Sequence, residues 1–161
     1  LVVASRVDAE TLTRARAMGI RGIVVSALTA KDVRDFLASE ERQRASLHRV
    51  PPFAVLVVDG AIRRPVATPL LAVLSALVGR EVAIAGDPPL LLFDPGGFGL
   101  PVPAADWVRV RQGPWGGREG RWVGPAGLRR FPGGVQLEAG LVRFGDGRPI
   151  AVPLSDLERY V

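Results

Sequence analysis

The chain has 161 residues, with no Cys, one His and 21 Lys+Arg against 16 Asp+Glu, for a formal net charge of +5. That length permits one ordinary domain or two small ones with enough interior to fold without staples. The lack of Cys excludes disulfide frameworks, thiolate nucleophiles and Cys-containing zinc sites, and a single His and single Lys leave little for catalysis, so neither metal nor cofactor is expected.

The chain opens on an apolar run, Leu1-Val2-Val3-Ala4, with no basic stretch ahead of it, which reads as a strand over residues 1–5 and not as a signal peptide. A first residue other than Met reads as a fragment or processed product, so a further domain of the same protein is expected upstream of Leu1. Asp8 is placed to cap a helix running to Met18, with Leu12 and Ala15 on one face and Gly19 as its stop. A strand over residues 22–26 follows. Thr29 and Asp32 have the spacing of a capping box, with Asp replacing the usual Glu or Gln, and open a helix to about His48 that Pro51-Pro52 ends.

Residues 53–58 (FAVLVV) form a nearly continuous apolar run, as expected of a strand covered on both faces. The longest apolar stretch, PVATPLLAVLSALVG, is 15 residues where a membrane span needs roughly 20, so it reads as a buried helix starting at Thr68 or Pro69. No membrane association is expected. Residues 81–85 are a fourth strand and residues 90–93 a short fifth. Alternating strands and helices predict a small α/β domain over residues 1–94, a parallel sheet with right-handed crossover helices on its faces.

Residues 95–103, rich in Pro and Gly, read as a linker. Beyond position 100 lie 11 of the 19 glycines and no helical periodicity, so short strands are expected. Residues 107–111 alternate apolar and charged side chains, as does part of 134–144; Gly145-Asp146-Gly147 signals a hairpin, and residues 148–153 return as a strand. One helical turn at 155–158 precedes a terminal edge at 159–161. Short strands joined by tight glycine turns suggest a small β-barrel over residues 104–161.

Within it, residues 108–123 read VRVRQGPWGGREGRWV, with Val108, Val110, Gly113, Gly117, Gly120 and, one position late behind Trp122, Val123. This skeleton resembles the KOW motif of SH3-like barrels in ribosomal proteins and NusG-like elongation factors. The spacing suits a β-hairpin in which Val108 and Val110 face the interior and the glycines permit the turn and a close return. The resemblance implies an SH3-like barrel that binds RNA or protein, or that only packs against neighbouring domains.

If RNA is the partner, Arg109 and Arg111 would alternate outward beside Trp115, with Arg118 and Arg121 just beyond and Arg129 and Arg130 on the next segment, supplying phosphate contacts and a stacking surface. The same residues also fit an ordinary solvated surface with Trp115 closing the barrel end. In the α/β half, Asp59, Arg63 and Arg64 follow the third strand, where parallel sheets hold ligands, and could bind an anion. No phosphate-loop or dinucleotide fingerprint accompanies them, and a solvated loop explains them equally. His48 at a helix end is explained by the helix dipole, and Lys31 and the carboxylates at 32, 35, 40 and 41 by surface solvation and ion pairing. The reading that follows is a non-enzymatic, cytoplasmic interaction module in which a KOW-like barrel binds RNA or a protein; the alternative is a ligand-binding or enzymatic α/β domain. The near-exclusive use of Arg over Lys fits a GC-rich or thermophilic source.

Overall fold

Two consecutive strand–helix–strand crossovers build the first part of the chain. A computed structural model describes residues 2–4, 7–46, 50–62, 64–97 and 99–159, and contacts divide the chain into two compact units, Leu1–Pro101 and Val102–Val161. In the first, β1 (Val2–Ala4), α1 (Ala9–Ala17), β2 (Gly22–Val25), α2 (Ala30–Ser46) and β3 (Ala54–Val57) follow in order. Strands β1 and β3 both pair with β2 in parallel, giving the order β1-β2-β3. The central β2 is buried at every position, which is why it carries no charge and three of its four residues are β-branched. Ile23 and Val25, two apart and so on one face, pack with Leu12, Ala15 and Phe36 from the two helices. Each such buried aliphatic side chain is worth about 1.5–3 kcal/mol over its exposed state.

Both helix starts form where their residues predict. Asp8 Oδ1 accepts from the Thr11 amide at 2.8 Å and from the Thr11 hydroxyl at 2.6 Å, and these bonds hold the Asp8 carboxyl below its ordinary value. At α2 the Asp32 amide donates to Thr29 Oγ1 at 3.1 Å, and the Thr29 hydroxyl donates to Asp32 Oδ2 at 2.6 Å.

The apolar stretch near residue 70 folds as α3 (Thr68–Ala76), with Pro69 in its first turn. It is not the buried helix expected, because Pro69 and Leu74 are covered while Leu71 and Ser75 are exposed, as is Val78 just beyond its end. No helix among the described residues is long and apolar enough to cross a membrane. The fourth strand also departs from expectation. β4 (Val82–Gly86) pairs antiparallel with β5 (Pro89–Phe93), from Val82↔Phe93 to Gly86↔Pro89, as a separate two-stranded sheet. Only Asp87 and Pro88 separate the two strands, and so short a link reverses the chain. β4 pairs with β5 alone, and the parallel sheet stops at three strands.

The second unit is a five-stranded antiparallel sheet: β6 (Trp107–Val110), β7 (Glu119–Arg130), β8 (Gln136–Arg143), β9 (Ile150–Pro153) and β10 (Leu157–Glu158), in the order β10-β6-β7-β8-β9. A 3-10 turn, Leu154–Asp156, leads into β10. The last strand among the described residues is thus Leu157–Glu158; of the expected edge at 159–161, Arg159 lies outside a strand, and Tyr160 and Val161 lie outside the described residues. β7 has 12 residues, longer than the short strands anticipated, because Gly124, Pro125 and Gly127 are absorbed as register shifts and do not end it.

Val108, Val110, Val142 and Val152 form the core, with Trp122, Phe144, Ile150 and Leu157 packed around them. Two glycines make this packing possible. A Cβ on Gly120 would lie 2.6 Å from the Arg143 carbonyl oxygen, and one on Gly140 would lie 1.9 Å from Cζ3 of Trp122. Pairing with β6 reaches Arg121 and pairing with β9 stops at Ala139. Residues 127–138 of β7 and β8 therefore project as a two-stranded ribbon bearing Arg129 and Arg130.

Candidate functional site: an aromatic and arginine surface on the second unit

The loop between β6 and β7 is closed by backbone hydrogen bonds from Gly117 N to Val110 O (2.7 Å), from Val110 N to Arg118 O (2.9 Å) and from Arg118 N to Trp115 O (3.0 Å). Gly113 and Gly117 take φ of +82° and +85°, which favours glycine at both positions. The closed loop sets Trp115 onto Phe144, with ring centroids 5.7 Å apart and planes 24° from parallel. The Arg118 guanidinium lies over both rings, 5.1 Å from the Trp115 centroid and 4.6 Å from that of Phe144. At an exposed site each such cation–π contact is worth about 0.5–1 kcal/mol. Trp115 keeps 38% of its surface exposed, so an aromatic face and a guanidinium are presented side by side. Phe144 was missed in the sequence; its signal is an aromatic residue immediately before the Gly145 turn.

The remaining arginines named from the motif do not all join this surface. Arg109 does not point outward: it is 2% exposed, with Nε 3.3 Å from Glu158 Oε2. The alternation of residues 107–111 implied one wet face, but β10 covers that flank of β6 and sets Glu158 in register with Arg109. Arg111 is exposed, its amide donating to the Asp156 carbonyl at 2.6 Å, while Gln112 Nε2 donates to Asp156 Oδ1 at 2.7 Å. Arg121 is exposed and lies 3.9 Å from Asp106. Arg129 and Arg130 sit on the ribbon, up to about 30 Å along the strand from Arg121, and so belong to a separate surface.

In the first unit, Asp59 N donates to Ser26 O at 2.6 Å and Leu28 N to Gly60 O at 3.0 Å, tying the carboxyl ends of β2 and β3 together. Ser26 is buried, Asp59 and Arg64 are half-buried, and Arg63 and His48 lie outside the described residues. A cavity of about 500 Å³ in this unit is lined by Arg21, Gly22, Phe53 and Ala54 together with Val82 and Ile84 of β4. It opens at the amino ends of β2 and β3, opposite the end where parallel sheets bind ligands. Among the described residues no group of His, Asp and Glu could hold a metal ion. Comparison of the chain with protein families, with curated proteins and with solved structures finds no match.

Proposed function

We propose that the second unit is an SH3-like barrel of the KOW type that works as a non-enzymatic interaction module, and that its partner is single-stranded RNA. The strand order supports the barrel reading: a four-strand meander, a 3-10 turn, and a last strand returning to the first. The observation that carries the function is the half-exposed Trp115, braced by Phe144 and flanked by Arg118. A base stacks on the indole, and the guanidinium pairs the adjoining phosphate or stacks in turn. Nine arginines against six carboxylates from residue 102 onward give the unit a modest positive field that favours an anionic partner.

Binding of a labelled oligoribonucleotide to the intact chain at low salt, followed by anisotropy, tests this. Stacking on an aromatic side chain is worth about 1–3 kcal/mol per base, so Trp115→Ala should weaken binding about 5- to 150-fold, and Arg118→Ala less. Equal binding by Trp115→Ala, or no binding by the wild type, overturns the reading.

A further inference from the structure

We infer that a second surface of this unit, the groove between the β7–β8 pair and the turn joining β8 to β9, is a phosphate-binding site. Register alone puts Arg121 directly opposite Arg143 on the neighbouring strand. Like charges in that relation repel and destabilise a sheet, and nothing in the packing calls for them, since both side chains are exposed. The chain then turns at Gly145-Asp146-Gly147 and returns with Ile150 beside Val142, which brings in Arg148 from the other side. The three arginines line an open groove of about 740 Å³, completed by Gly145, Asp146, Gly147 and Pro149.

The groove is under-neutralised. Asp146 lines it, and Asp106 stands 3.9 Å from Arg121, beyond hydrogen-bond distance; no ion pair among the described residues engages Arg143 or Arg148. Gly145, at φ +56°, and Gly147 contribute only backbone to the groove wall. Guanidinium groups meet phosphate oxygens in paired hydrogen bonds, and one phosphate can bridge two of them. Bound phosphate thus converts a repulsive cross-strand pair into two halves of one site. The phosphate is either a backbone phosphodiester of RNA or a free diphosphate. Neither Trp115 nor Phe144 lines the groove, so it does not depend on the stacking surface.

Thermal melts of the full chain in low-salt buffer, with and without inorganic pyrophosphate, provide the test. Arg143→Gln should melt above the wild type without ligand, because the repulsion is gone. Pyrophosphate should raise the wild-type melting temperature and leave that of Arg143→Gln and Arg121→Gln unmoved. If the source is RNA, Arg143→Gln also lowers the slope of log K against log salt by about 0.7, whereas Trp115→Ala weakens binding without changing the slope. A lost pyrophosphate shift with an unchanged RNA slope identifies free diphosphate as the ligand. A pyrophosphate shift and an RNA slope both unaffected by the arginine substitutions overturn the site, even where Trp115→Ala shows that RNA stacks. A pyrophosphate shift lost in the variants, with no RNA bound by the wild type, leaves the groove standing and removes the stacking reading.

Discussion

Among the described residues each unit buries one arginine, and the two are held in different ways. Arg16, on α1, lies over the Phe36 ring at 5.2 Å, donates to Gln43 Oε1 and comes within 3.6 Å of Glu40 Oε1. Those three partners sit at spacings of four and three on α2 and therefore share one face of one helix. A single local element, α2, thus supplies all three of these contacts to the guanidinium. Arg109 meets Glu158 only when β10, a two-residue strand from the far end of the unit, closes onto β6. A buried charge costs little to place where local structure prepares several partners, and makes the fold depend on long-range closure where one carboxylate supplies the ion pair.

The largest expected effect tests how tightly the second unit is packed. Gly140→Ala drives a methyl group into the Trp122 ring and should cost at least about 3 kcal/mol, enough to unfold much of a unit this small. The contrasting change in the first unit, Gly19→Ala, meets open space and opposes only a φ of +85°, so it should cost about 1–2 kcal/mol. Urea titration of both variants, with hydrogen exchange to locate the loss, measures the difference.

Next come the arginine partners. Glu158→Ala leaves Arg109 buried without its carboxylate and should cost about 2–3 kcal/mol, below the figure for a fully buried pair because Glu158 is a third exposed. Glu40→Ala leaves Gln43 and Phe36 in place around Arg16 and should cost about 1 kcal/mol. Equal losses in the two variants would break the contrast between local and long-range support.

The smallest effect lies at Asp8. Its carboxyl is held below the ordinary 3.8 by the Thr11 bonds, so the cap contributes stability above that value and loses it as pH falls through the lowered value. Asp8→Asn should remove this acid-side loss from α1 while leaving α2 unchanged, as read by amide exchange between about pH 5 and 2.

The first unit was legible where local chemistry decides the outcome. Asp8 and Thr29 mark helix starts through bonds three residues away, and the apolar run at 53–58 marks a strand, although β3 lies at the sheet edge and is half-buried at every position, not covered on both faces as its composition suggested. Which strands pair is a different matter: the residues of β4 suit a parallel neighbour as well as an antiparallel one, and the two-residue link at Asp87-Pro88 is what selects the latter. In the second unit, Gly113 and Gly117 show their conformational role in the sequence, but the meeting of Trp115 with Phe144 does not follow from any spacing along the chain. Arg109 misled because alternation describes a strand with one wet face, and the cover comes from β10. Glu158 was the available signal, a carboxylate beside an apolar residue in the closing segment, but Asp156 on the other side of Leu157 offers the same one. Arg143 and Arg148 were passed over although they flank the Gly145-Asp146-Gly147 turn, since only the register of β7 against β8 makes Arg121 their neighbour.

The division at Pro101/Val102 also separates the chain by optical signal. The α-helices α1 to α3 all precede it, while all three tryptophans, at 107, 115 and 122, and the only tyrosine, at 160, follow it. The far-ultraviolet helical signal therefore reports the first unit and indole emission the second, with no label added. Heating one sample of the intact protein while recording both shows directly whether the two units melt together or apart.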